Sequence, residues 1–308
     1  MRYSLCLSYD GAAFCGWQIQ PGAPSVQACL EATLSRLLNR PVQVTGAGRT
    51  DTAVNASHYV AHFDLDAALP FGQGDFCYKL NAMLPHSIAV HSVTPVPADF
   101  HARFSARRRE YTYFIHRQKD PFVRAYSWQC GYPVMDFDAM NRACQFLLGT
   151  HDFSCFEKTG TDNKTSICTV FDAFWAPYTP SHVAIMADSH SRMGLVKVEE
   201  GAVSPISGHP RPDKREGPAA EGCGRGRSEA EAMGETAPFG AEAPYWYFRI
   251  AADRFLRNMV RAVVGTLIEV GRGKHAPEWV AELIAGGTRG DAGESVPGHA
   301  LFLNRVDY

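Results

Sequence analysis

Gly46-Ala47-Gly48-Arg49-Thr50-Asp51 is the stretch from which the rest of the chain can be read. Two glycines with one residue between them free the backbone and let a ligand approach it closely. Val42 to Thr45 before it reads as a strand, and so does about His58 to Leu65 after it. Arg49 stands two residues before Asp51. A guanidinium in such a loop suits a phosphate contact or the edge of a base. On spacing alone two readings stay open, a reactive loop or a hairpin with an ordinary surface aspartate. A dinucleotide-binding turn fits poorly, because the third glycine is missing and the segment opens into a strand rather than a helix.

Upstream, Tyr3 to Tyr9 alternates as a strand and runs into the Asp10-Gly11 turn. Ser25 is placed to cap a helix reaching about Leu38, with Val26, Cys29, Leu30, Leu34, Leu37 and Leu38 on one stripe. Downstream, a helix over about Asp75 to Met83 precedes a strand from Ile88 to Val96. This order, β-α-β-β-α-β, is a split βαβ pattern. Next, Arg107 to Arg117 reads as a strand, and Asp136 caps a helix through Leu148. Strands follow near Ile167–Trp175 and Tyr245–Ala251. A long helix over about Arg254 to Val270 ends at Gly271 and Gly273. A helix over about Pro277–Ala285 and a strand from Leu301 to Val306 complete the chain.

The second half alternates like the first without repeating its sequence. The expected fold is therefore α+β, with two related β/α halves at 1–106 and 107–308 whose antiparallel sheets join. One segment, about 189–243, is rich in Gly, Pro, Glu, Ala and Ser. It has too little apolar surface to offset the entropy of ordering it, so a flexible insertion is expected there. Its basic stretch Arg211-Pro212-Asp213-Lys214-Arg215 is either a solvated surface or an RNA contact, and Gly222–Gly226 is assigned no role.

At 45% hydrophobic residues over 308 positions, the chain can build a sizeable core. No apolar run approaches the ~20 residues of a membrane span. Met1 to Cys6 runs directly into Tyr9-Asp10-Gly11 with no apolar leader. These features lead to the expectation of a soluble cytoplasmic protein. Nine cysteines are scattered without a C-x-x-C pair, which argues against a disulfide framework or a structural zinc site. His58 and His62 share a strand face, but no third ligand follows at metal spacing, so both are read as structural. His151-Asp152-Phe153 is read as starting or capping an element. The net charge of −2 does not advertise a nucleic-acid partner. Any RNA affinity must come from a local concentration such as Arg103, Arg107, Arg108, Arg109 and Arg117.

Several segments together resemble the TruA family of tRNA pseudouridine synthases. They are Tyr9-Asp10-Gly11, Gly16-Trp17-Gln18, Val26-Gln27-x-x-Leu30-Glu31, Gly46 to Asp51, Phe100 to Ala106 and Tyr111-x-Tyr113. Later come His151-Asp152-Phe153, Phe255-Leu256-Arg257-x-Met259-Val260-Arg261, Val264-Gly265-Thr266-Leu267, Gly271-Arg272-Gly273 and Pro297-x-His299-Ala300-Leu301-x-Leu303. They follow the family's order and span nearly the whole chain apart from the insertion. The resemblance implies a pseudouridine synthase fold, with helices on one side of the joined sheets and a central RNA-binding cleft on the other, that needs neither cofactor nor metal. It implies a homodimer acting on the tRNA anticodon stem-loop at positions 38–40. Asp51 takes the place of the catalytic aspartate, Arg49 that of an arginine implicated in flipping the base, Tyr111 that of the tyrosine stacking on uracil, and Arg261 that of the basic partner of the aspartate. Arg257, Arg109 and Tyr111 join Arg49 as substrate contacts in this reading, with Arg257 and Arg261 on one helix face.

The chain departs from the family at Ala53-Val54-Asn55, where Gly-Val-His is common. If that glycine has positive φ, Ala53 strains the loop by about 1 kcal/mol. Glu110 replaces a basic residue of some relatives, which points to a weakened backbone contact. The chemistry suits the residues. Breaking N1–C1′ and joining C5 to C1′ involves no redox change, and an ionised carboxylate can attack C1′, add to C6 or take a sugar proton. An adjacent guanidinium favours the charged carboxylate, and an aromatic plane holds a base by stacking, at ~1–3 kcal/mol. Three rival readings remain: an RNA-binding protein of this fold without Asp51 chemistry, an enzyme acting on a uridine of another RNA, and a nucleotide-dependent enzyme using Gly46–Asp51 as a phosphate loop.

Overall fold

A computed structural model of the chain describes residues 1–158, 160, 165–185 and 243–308. The insertion expected at 189–243, with its basic stretch and Gly222–Gly226, lies outside the described residues except for Ala243. The chain divides into one unit of Met1–Tyr178 with Pro244–Tyr308 and a second of Thr179–Ala243. Residues 181–185 of the second unit are helical.

The strands of the first unit are β1 (Arg2–Tyr9), β2 (Thr45–Gly46), β3 (Asn55–Asp64), β4 (Ile88–Val96), β5 (Arg108–His116), β6 (Trp128–Gln129), β7 (Gly149–Asp152), β8 (Ile167–Pro177), β9 (Tyr245–Ala252) and β10 (Leu301–Asp307). They form one mixed sheet in the order β4-β1-β3-β10-β5-β9-β8-β7, with β2 on β3 and β6 on β5. Among the described residues five α-helices accompany it: α1 (Val26–Leu38), α2 (Gln73–Met83), α3 (Phe137–Cys144), α4 (Met259–Gly271) and α5 (Trp279–Gly286). None is long and apolar enough to cross a membrane.

The expected antiparallel pairings are present, but one pairing at the middle of the sheet is parallel. Phe302 and Leu303 of β10 lie beside Asn55 and Ala56 of β3, while the other edge of β10 runs antiparallel to β5. β10 thus links the strands β4-β1-β3 to the strands β5-β9-β8-β7.

Local signals account for several elements. Ser25 caps α1 by accepting from Ala28 N, and Asp136 caps α3 by accepting from Ala139 N. Two expectations change. Val42 to Val44 is not a strand: Ser35 Oγ takes the Val42 N–H at 2.9 Å and Glu31 Oε1 takes the Val44 N–H at 2.9 Å, so side chains of α1 satisfy this backbone. The helix expected from Arg254 begins only at Met259. Asp253 Oδ1 accepts from Arg254 N at 2.7 Å and from Thr169 N at 2.8 Å, and Asn258 adopts a left-handed φ of 66°, so the intervening residues form a turn. His151-Asp152 falls in β7, where the His151 ring meets the Leu148 carbonyl at 2.7 Å.

Alternation along the strands sorts the two faces. Tyr9, Tyr59, Tyr111, Tyr113, Phe248, Ile250, Leu301 and Leu303 are all buried on one face. The helices cover that same face. Phe76 of α2 stacks on Phe63 at 6.4 Å, and Phe137 of α3 meets Trp175 at 5.8 Å. The other face carries Glu110, Thr112 and Asn304, which hydrogen-bond one another across β5 and β10.

His62 of β3 is buried, and its Nδ1 accepts from Ala102 N at 3.1 Å. Burial, reinforced by Arg2 and His101, pushes its pKa down to about 4. Unfolded, the ring titrates at about 6.5, so the unfolded chain binds the proton more readily. Stability is then full above pH ~6.5 and is lost as pH falls toward 4. Burial shifts His116 in the same direction. Thermal unfolding between pH 7.5 and 4.5 should show Tm falling through this window, with a shallower fall in His62→Asn. Equal slopes would show that His62 does not carry the effect.

Candidate active site

Asp51 sits in the loop joining β2 to β3, and the surrounding chain holds that loop mainly by its backbone. Trp17 N donates to Thr50 O at 3.3 Å, and Ala53 N donates to Phe14 O at 3.2 Å. Gly16 adopts φ 95°, and a Cβ there would stand 2.1 Å from Thr50 O. Only glycine permits both that conformation and that approach. Beneath the loop, Tyr59 Oη donates to Gly48 O, Trp17 stacks on Tyr59 at 4.1 Å, and Tyr9 Oη bonds Thr50 Oγ1 at 2.9 Å. Neither Tyr59 nor Tyr9 was legible as a loop support from spacing, because each reads as an ordinary inward strand residue.

The departures at 53–55 now have a structural account. Ala53 has φ 62°, the left-handed region. Ala53→Gly should relieve about 1–2 kcal/mol of strain and return roughly half of it through the entropy of the unfolded chain. A net gain of about 0.5–1 kcal/mol in urea unfolding is expected; a loss of stability would refute the strain. Asn55 is buried, accepts from Gly11 N at 2.8 Å and donates to His299 O at 2.7 Å. It stitches the loop's exit to both ends of the chain's fold.

Arg261, in the first turn of α4, reaches the loop. Its Nη1 lies 3.6 Å from Asp51 Oδ2, and its Nε donates to Val296 O at 2.6 Å. Both side chains are partly exposed, at 22% and 27%. Tyr111 of β5 completes the group. It meets Phe255 edge-on at 5.0 Å, and its hydroxyl has no hydrogen-bond partner among the described residues. Burial pushes the Tyr111 pKa up to about 12; Arg109 opposes the rise and the nearby Asp51 carboxylate adds to it. Asp51, Tyr111 and Arg261 therefore converge on the helix-bearing face. This corrects the expectation of a cleft opposite the helices: inward alternation on β5 carries Tyr111 to the side where α4 presents Arg261. None of the three lines the depression of about 270 Å³ formed by Ser8, Asp10, Asn55, Tyr126, Phe302 and their neighbours.

The remaining candidates separate. Arg49 is exposed at the rim, with Nε 3.3 Å from Gln18 Oε1. Arg257 is exposed too, but it lies in the turn before α4 and not on a helix face shared with Arg261. Arg109, expected as an RNA contact, is instead buried. Its guanidinium donates to the carbonyls of Ala47, Arg103 and Asp253. Glu110 points to the opposite face, where it takes Asn304 Nδ2 at 2.7 Å and pairs with Arg108 at 3.3 Å. It contacts no part of the Asp51 loop through those bonds. Among the described residues no group of three His, Cys, Asp or Glu side chains is placed to hold a metal ion.

On this α+β sheet a carboxylate thus stands 3.6 Å from a guanidinium, with a tyrosine near enough to feel its charge. A family model described as tRNA pseudouridine synthase matches residues 143–308. Over the whole chain, identity is 36% to tRNA pseudouridine synthase A of Porphyromonas gingivalis, 97% of which is covered. It is 39% to the same enzyme of Bacteroides thetaiotaomicron, with 90% of that protein covered, and 35% to that of Nitratidesulfovibrio vulgaris, with 99% covered. The chain belongs to the tRNA pseudouridine synthase A family.

Proposed function

We propose that this protein is an isomerase converting uridine to pseudouridine in the anticodon stem-loop of tRNA, at positions 38–40, with Asp51 as the catalytic carboxylate. One observation carries the reading: the Asp51 carboxylate lies 3.6 Å from the Arg261 guanidinium, within the electrostatic reach of Tyr111. During the reaction N1–C1′ breaks, C5–C1′ forms, the C5 proton passes to water and N1 gains one. Each way of starting this sequence needs a charged carboxylate oxygen beside the sugar and base. Tyr111 offers a plane for the uracil and a free hydroxyl at the same place. The target must leave its stack to reach them, which takes a few kcal/mol. Arg49 at the rim is suited to filling the vacancy, and Arg257 to a phosphate.

Release of tritium from 5-tritiated uridine in unmodified tRNA tests the reading. Release is expected, and it should cease when positions 38–40 are replaced by cytidine. Continued release from that substrate would place the target elsewhere. The family resemblance extends to the working form, a cytoplasmic homodimer with one tRNA bridging both subunits. Light scattering of the tRNA complex should give two chains per RNA, and a single chain would exclude it.

A further inference from the structure

The geometry points to Arg109 as the positioning residue that sets Asp51 relative to Tyr111 and ties that setting to the loop carrying Arg103 and Phe104. The inference rests on the uridine-isomerising reading above and deepens it. Arg109 is 8% exposed. Among the described residues no carboxylate lies within ion-pair distance of it. A guanidinium taken out of water without a counter-charge carries a desolvation penalty of several kcal/mol, and burial lowers the Arg109 pKa accordingly. Packing alone would be served better by an apolar side chain. The charge is instead spread over three backbone carbonyls from three separate segments.

Each carbonyl belongs to a different part of the site. Arg109 Nε and Nη2 donate to Ala47 O at 3.3 and 2.9 Å, four residues before Asp51. Nη2 also donates to Arg103 O at 2.6 Å, and Nη1 donates to Asp253 O at 2.7 Å. Asp253 opens the turn that leads through Phe255 to α4 and Arg261. The Asp51 loop and the Arg103 loop thus share one nitrogen. The latter carries Phe104, 76% exposed, with the Arg103 guanidinium 5.5 Å from its ring centroid. A basic side chain beside an exposed ring is suited to RNA. A nucleotide settling there would bear on the same guanidinium that locates the carboxylate.

The strand explains why this residue does it. Arg109, Tyr111 and Tyr113 lie two apart on β5 and share its inward face. Tyr113 Oη donates to Pro297 O at 3.0 Å, next to the Val296 carbonyl that receives Arg261 Nε. One strand therefore fixes the carboxylate loop, the aromatic plane and the strap that orients the cation. Lysine cannot replace the fork, because a single tetrahedral nitrogen does not span three carbonyls in these directions.

The test compares full-length wild type, Arg109→Lys and Arg109→Gln. Single-turnover tritium release with enzyme in excess is expressed per folded molecule, alongside tRNA Kd at several salt concentrations and Tm. Arg109→Lys should lose about 10- to 100-fold in the single-turnover rate, as a misplacement near 1 Å does. Its Kd should stay within about threefold, with an unchanged slope of log Kd against log salt. Arg109→Gln should be slower still; if it does not fold, Arg109→Lys decides. A wild-type rate per folded molecule in Arg109→Lys would show that the residue holds the fold and not the site. A weaker Kd with a flatter salt slope and an intact saturated rate would make it an RNA contact. Either result overturns the inference while wild-type release stands. Absence of release by the wild type would instead remove the functional reading, and this inference with it.

Discussion

Asp51→Asn is expected to bind tRNA as the wild type does and to turn over about 10⁴-fold more slowly, the scale seen when a reacting group is removed from an intact site. Asparagine matches aspartate in shape and lacks only the charge. The loop should survive the change, because its backbone is held by Phe14, Gly16 and Trp17 and not by the Asp51 side chain. Tyr59 and Tyr9 remain beneath it. The loss should therefore appear in the single-turnover rate, with Kd unchanged. Tritium release by Asp51→Asn within tenfold of wild type would refute the catalytic assignment. An equal fall in binding and rate would mean that the carboxylate serves the loop and not the reaction.

The second large effect is expected at Arg261→Met, with a fall in single-turnover rate of about 10²- to 10³-fold. Unit charges near 4 Å apart at an effective dielectric near 20 attract by ~4 kcal/mol before desolvation is deducted. Losing 3–4 kcal/mol of that at the transition state corresponds to this range. Both side chains are about a quarter exposed in the free protein. Bound RNA would exclude water from the pair and strengthen it. Methionine keeps the volume but provides neither the Asp51 contact nor the bond to Val296 O. Arg261→Lys should recover only part of the rate, since the arginine uses Nη1 for one partner and Nε for the other. Full activity of Arg261→Met would leave Asp51 without need of a cation.

What the sequence disclosed and what it hid have separate physical causes. Ser25 and Asp136 were readable as caps because capping acts over three residues and needs no distant partner. The strand over Arg107 to Arg117 was readable from its pattern, but which of its side chains face inward emerged only with the pairing of β5 to β9 and β10. The convergence of Asp51, Tyr111 and Arg261 was readable only through resemblance, since no local rule links three segments so far apart. Val42 to Val44 misled because buried valines suggest a strand, whereas Ser35 and Glu31 had already taken the amides that a strand would offer a neighbour. Arg109 misled because an arginine in a basic run looks solvated, and nothing local marks the three carbonyls that enclose it. The late start of α4 followed from Asp253 capturing the amide of Arg254.

The parallel pairing of β10 with β3 has a consequence for how the protein comes to life. Asn55 and His299, which bond each other beside that pairing, are 244 residues apart. Contacts of such separation form late and slowly, after most loop-closure entropy has been overcome. Until β10 is seated, nothing in the sheet links the strand leaving the Asp51 loop to the strand bearing Tyr111. Newly made chains should thus isomerise no uridine until β10 is seated, and no fragment of the sheet should be a weaker version of the enzyme.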